Sequence, residues 1–196
     1  GLVNMEYQLI SGHDETGFFT SAPWECNPGF PPRRLTFSSW AEMGDQIHVN
    51  FFTFDKTAPA DEKTMIIDSL KYARDVYDNP SAHTSGAYAT GAAAFETWIR
   101  AVKAGHGASH GMWWNATVWG ECRAQASAYF MEIAENYPAV SDSARELAAD
   151  YRTISENLLK ASNKELPAQE QVRLLKDAGD IELRCIRKMG DVISRL

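Results

Sequence analysis

His106 and His110 flank Gly107-Ala108-Ser109, so two imidazoles four residues apart could converge on a metal ion with Glu121 as a third ligand. On a helix that spacing would place both rings on one face. Here Gly105, Gly107 and Gly111 surround them, and the plainer reading is a loop between two helices, whose amides could meet an anion where the second helix begins. The loop neither follows a strand nor ends in Lys-Ser or Lys-Thr, so it is not a phosphate-binding loop of the nucleotide type. His13, in Gly12-His13-Asp14, and Cys26, in Trp24-Glu25-Cys26-Asn27, would make a base and a nucleophile if a hairpin brought them together. The competing reading leaves His13 partly exposed at a turn and Cys26 an ordinary loop thiol. A third set is aromatic. Trp113, Trp114 and Trp119, followed by Glu121 and Arg123, could wall a ligand pocket with two polar groups to orient the ligand. Against that stands core packing, the usual use of aromatic residues at helical spacing. No metal and no cofactor is expected.

The elements that must position these side chains fall into two blocks, with a boundary near residues 55–60. Residues 2–13 alternate, with Val3, Met5, Tyr7 and Leu9 on one face and Asn4, Glu6 and Gln8 on the other, which is strand patterning. Asp14-Glu15-Thr16-Gly17 supplies turn residues, including a glycine able to take positive φ, and Phe18–Ser21 returns as a second strand. A Pro-rich stretch, 23–34, prevents regular structure. Ser39-Trp40-Ala41-Glu42 has capping-box spacing for a short helical turn, and 46–54 alternates again as a third strand. Residues 1–57 therefore read as a small three-stranded antiparallel sheet.

From Pro59 the period changes to 3.6, and five helical segments follow, at 60–78, 85–104, 112–136, 142–161 and 166–195. Asn79-Pro80 stops the first, and Gly105 is a left-handed cap for the second. The third is the most aromatic and reads as the central buried helix, with Cys122 packing as a small hydrophobe. Ser143 and Glu146 have capping-box spacing at the start of the fourth. Its stripe of Ala144, Leu147, Tyr151, Ile154 and Leu158, and that of Val172, Leu175, Ile181, Cys185, Met189 and Val192, suggest an antiparallel helical hairpin. The expected fold is α+β, a three-stranded sheet (1–57) followed by a five-helix array (58–196).

Composition narrows the function. Twenty-six acidic against nineteen basic residues give a net charge of −7 over 196 residues, which argues against nucleic acid and anionic membranes as partners. No apolar run of about 18 residues is present to span a bilayer. Cys26, Cys122 and Cys185 are too few and scattered for a disulfide framework, so a reducing cytoplasm is expected. The opening Gly1-Leu2-Val3 has neither Met nor a basic segment ahead of an apolar core, so it reads as a fragment or processed product and not a signal peptide.

The string Glu6–Asp14, then Phe18-Phe19-Thr20-Ser21-Ala22-Pro23, then Leu35–Met43 and a strand, resembles the second half of papain-like cysteine peptidases of the bacteriocin-processing type. The resemblance covers residues 1–54. The helical remainder, with Phe95-Glu96-Thr97-Trp98-Ile99 and then a helix carrying Arg123, is similar to the tail of the butirosin-biosynthesis branch, whose type member is an acyltransferase. The resemblance puts the family's catalytic His at Glu6 and its catalytic Asp at Ala22. A carboxylate at position 6 cannot form a thiolate–imidazolium pair, and the nucleophile would belong to an upstream half. The resemblance thus implies a catalytically incomplete member that binds a small molecule or peptide between sheet and helices. Two alternatives stay open: an amide-forming acyltransferase or cysteine peptidase whose nucleophile-bearing half is absent from this chain, and a helical protein-interaction module whose C-terminal hairpin docks a partner. A homo-oligomer through the helical block is also open.

Overall fold

Asp14 closes the first hairpin by itself, because its Oδ1 accepts from the Thr16 amide at 2.7 Å, the Thr16 hydroxyl at 2.8 Å and the Gly17 amide at 3.1 Å. The computed structural model describes residues 9–20, 33–37 and 52–196, and the chain divides into two units, 1–57 and 58–196. In the first unit β1 (Ile10–Asp14), β2 (Gly17–Thr20) and β3 (Arg34–Thr36) form an antiparallel sheet in the order β1-β2-β3. His13 faces Phe18 and Asp14 faces Gly17, with an irregularity between Ile10 and Gly12. Arg34 reaches from β3 to both carboxylate oxygens of Asp14 at 2.6 Å. The two Thr16 donors, followed by Arg34, pull the Asp14 pKa down to about 2.

Two expectations change here. The third strand of the described sheet is Arg34–Thr36, at the edge of the Pro-rich stretch. Residues 52–54 are not in a strand, and 46–51 lie outside the described residues, as do Ser39–Glu42 and positions 2–8 of the expected first strand. A three-residue strand is too short to show alternation; it is held by β2 and by flanking bonds from the Thr20 amide to Arg33 O and from the Phe37 amide to Thr16 O, both 3.1 Å. Gly17, moreover, is not left-handed. It is glycine because a Cβ there would lie 2.5 Å from the Leu35 carbonyl oxygen across the sheet.

The second unit holds six helices where five were expected. They are α1 (Glu62–Asp78), α2 (Pro80–His83), α3 (Gly91–Ala101), α4 (His110–Asn136), α5 (Ser141–Ala161) and α6 (Ala168–Arg195). The extra element, α2, is the single turn that Pro80 starts as its first residue. Asp61 caps α1 by accepting from the Thr64 amide at 3.0 Å, and Ser109 caps α4 by accepting from the Met112 amide at 3.1 Å. Ser143 does not cap α5, which begins at Ser141 without a side-chain cap. α3 runs into a π-helical turn, Val102–His106, that breaks at Gly105 with φ 98°, the left-handed position expected of that glycine.

The core is built on α5 and α6. Leu147, Tyr151, Ile154 and Leu158 meet Leu174, Leu175, Ala178, Cys185, Met189 and Val192, all buried. α5 lies antiparallel to α4 as well, and Gly120 permits the approach: a Cβ at that position would lie 2.8 Å from Leu159 Cγ. Of the aromatic residues of α4, Phe130 is buried and stacks on Tyr151 with ring centroids 5.5 Å apart, but the tryptophans are not core residues. The buried positions of the helix are mostly small or flexible, among them Met112, Ala116, Gly120, Ser127 and Ala134, whereas Trp113, Trp114 and Trp119 stand partly in solvent. At 100° per residue these three tryptophans spread around the helix instead of forming one stripe.

Candidate functional site

Trp113 and Trp114 are 37% and 51% exposed on the first turns of α4. His110, one turn earlier, lies 5.2 Å from the Trp113 ring and 6.2 Å from that of Trp114, close to parallel with the latter. The three rings make one aromatic face. The Lys164 ammonium, from the α5–α6 turn, sits 5.6 Å above Trp113, within cation–π range. The α4 amides behind this face belong to a helix start, the positive end of the helix dipole.

Gln171, in the first turns of α6, positions that lysine, though nothing in its sequence context marks it. The two N–H donors of its buried side-chain amide are shared among three carbonyl oxygens, Gly107 O at 2.9 Å, Ala161 O at 3.1 Å and Asn163 O at 3.2 Å. One side chain therefore ties the loop before α4 to the turn that carries Lys164. A Cβ at Gly107 would fall 2.2 Å from Gln171 Oε1, so a side chain there would have to displace the Gln171 amide. A sequence signal for the face exists in what is missing. From Thr97 to Gly120 there is no Asp or Glu, although acidic residues number 26 in the chain, and the same interval holds Arg100, Lys103, His106 and His110 with four of the six tryptophans.

Arg123 and Glu182 form a different centre. Arg123 Nε and Nη2 donate to the two Glu182 oxygens at 2.9 and 2.6 Å, a bidentate pair whose side chains are only 21% and 8% exposed. Trp119 packs 5.3 Å from the guanidinium. Burial first, and then the Glu182 charge, raises the Tyr151 phenol above its usual range; burial, followed by Asp150 and Glu182, pushes the Cys185 thiol up to about 12. Arg123 is thus occupied inside the unit, and Cys185 is held as an unreactive thiol.

The remaining expected site residues do not gather around these centres. His13 is an exposed β1 residue beside Phe18, with ring centroids 6.5 Å apart. Glu6 and Cys26, and with them the pairing of Cys26 with His13, lie outside the described residues. His106 is exposed and contributes its carbonyl to the Ser109 amide at 3.1 Å. His110 stacks on indole rings, and the described residues hold no group of three His, Cys, Asp or Glu side chains arranged for a metal ion. Glu121 is exposed, and Cys122 is an exposed free thiol instead of a core residue. No helix among the described residues is long and apolar enough to cross a membrane. No family model, curated protein or solved structure matches the chain.

Proposed function

We propose that the chain is a binding protein that docks an acidic peptide segment of a partner on the His110–Trp113–Trp114 face of its helical unit, in a reducing cytoplasm. The observation that carries this reading is the exposure of two adjacent indoles beneath a lysine in an acid-free stretch of an otherwise acidic chain. Leaving a third to a half of each indole in water forgoes on the order of 4 kcal/mol at ~25 cal/mol per Å². Covering the face would recover that energy, and Lys164, Lys103 and the helix start favour a negatively charged occupant over a positive one. The C-terminal hairpin is not the docking element on this reading, because the apolar stripes of α5 and α6 are consumed in the core. Free thiols at Cys122 and Cys185 agree with a reducing compartment.

Panning phage-displayed random peptides against the full chain tests the reading. Selected peptides should be enriched in Asp and Glu around an apolar anchor. They should bind the Trp113→Ala/Trp114→Ala variant at least about tenfold more weakly, ~1.4 kcal/mol, with its helicity retained. Peptides that bind variant and parent equally would remove this face from the account. Trp-dependent binding to anionic lipid vesicles instead of peptides would replace it with a membrane-surface role.

A second reading keeps 1–54 as the second half of a papain-like scaffold, supported by an antiparallel hairpin, β1–β2, on the residues that carry the resemblance. A longer reading frame with a Cys at a helix start upstream would favour the acyltransferase or peptidase alternative.

A further inference from the structure

At the opposite end of α4 a cleft of about 200 Å³ opens between α4 and α1. That is below the ~300–1,000 Å³ of sites for drug-sized ligands, so it suits a head group and not a whole cofactor. Its lining has an unusual chemistry. Glu62 and Met65 come from α1, and Tyr129, Glu132, Ile133 and Tyr137 come from the last turns and cap of α4. No lysine, arginine or histidine lines it. The position 137 cap is also the negative end of the α4 dipole. The positive end of α1 is answered locally by Asp61, whose two carboxylate oxygens accept from the Thr64 amide and hydroxyl.

Two phenols line the cleft. Ser69 Oγ lies 2.8 Å from Ile66 O and 2.8 Å from Tyr129 Oη, so the Tyr129 phenol is tied to α1 at the edge of the cleft. Burial, followed by the Glu62 and Asp61 charges, raises the pKa of Tyr137, which keeps it a neutral phenol. Two tyrosines, two carboxylates and apolar lining from Met65 and Ile133 leave few candidates for the occupant. A divalent metal ion needs about six oxygen ligands and sheds its water reluctantly, which this lining does not repay. A methylated ammonium is weakly hydrated, presents C–H surface to the apolar lining and is attracted by aromatic faces.

We infer that this cleft binds a quaternary ammonium group, carried either by a small molecule or by a trimethylated lysine of another protein. It lies on residues separate from the docking face, and each proposal stands or falls without the other. The test is a calorimetric titration of the full chain with choline and with its uncharged carbon isostere, 3,3-dimethylbutan-1-ol, and with ethanolamine. Choline should bind at least about tenfold more tightly than either. The Met65 methyl signal should move with choline, and Tyr137→Leu and Glu132→Gln should each weaken choline at least about threefold with unchanged helicity. A trimethyl-lysine peptide binding more tightly than choline assigns the source to a protein, and the reverse assigns it to a small molecule. Equal binding of the isostere shows a merely apolar cleft, and equal binding of ethanolamine shows a merely acidic one. Either result, or no binding by any of the probes, overturns the inference.

Discussion

Glu182 is the residue on which most of the interior polar chemistry depends. It is nearly buried and saturated by a bidentate arginine, and its charge reaches Tyr151, Cys185 and Tyr77. Such a pair loses hydration on both sides, so its net contribution is small, but removing one member strands the other. Arg123→Met should therefore cost about 3–5 kcal/mol in urea unfolding, as should Glu182→Leu. The Arg123→Met/Glu182→Leu double variant should regain most of that loss. If the double variant were as damaged as the sum of the singles, the pair would not be the coupled unit described.

Between helices the decisive feature is the small-residue seam of α4. Ala116, Gly120 and Ser127 are buried, Gly120 lies where a Cβ would meet Leu159, and the Ser127 hydroxyl donates to Ala148 O of α5 at 2.7 Å. Gly120→Val drives two methyl groups into Leu159, and overpacking of this kind costs about 1–3 kcal/mol, readable as a lowered midpoint in urea. An unchanged midpoint would mean that α4 and α5 can separate freely. The same seam explains what could be read from the sequence. α5 and α6 were legible, because their bulky apolar residues recur at 3.6 with charges on the opposite face. α4 misled, because its three tryptophans wrap around the helix, while its buried positions mix Phe130 and Ile133 with Ala116, Gly120, Ser127 and Ala134, which weigh little in a pattern. β3, at three residues, is shorter than two periods of alternation, and α2 is a single turn. The docking residues were noticed as aromatic, but their exposure was not legible; the acid-free interval 97–120 was the usable sign. Gln171 gave none, since a polar side chain among charged helix residues looks like solvated surface.

Over the whole chain, charge is sorted along α4. Its 27 residues span about 40 Å at 1.5 Å per residue, from an aromatic start without carboxylates to a tyrosine-lined end with Glu132 and, across the cleft, Glu62. Among the described residues, every member of the buried apolar cluster lies between Ile66 and Val192. A chain cut to 58–196 should therefore keep its helicity and unfold in one cooperative transition, monitored by far-ultraviolet circular dichroism. Loss of cooperativity on truncation would show that the sheet unit completes the core.

The Gln171 amide grips three carbonyls from two separate connections. Displacing that one side chain would therefore loosen two connections at once, the stretch before α4 and the turn after α5.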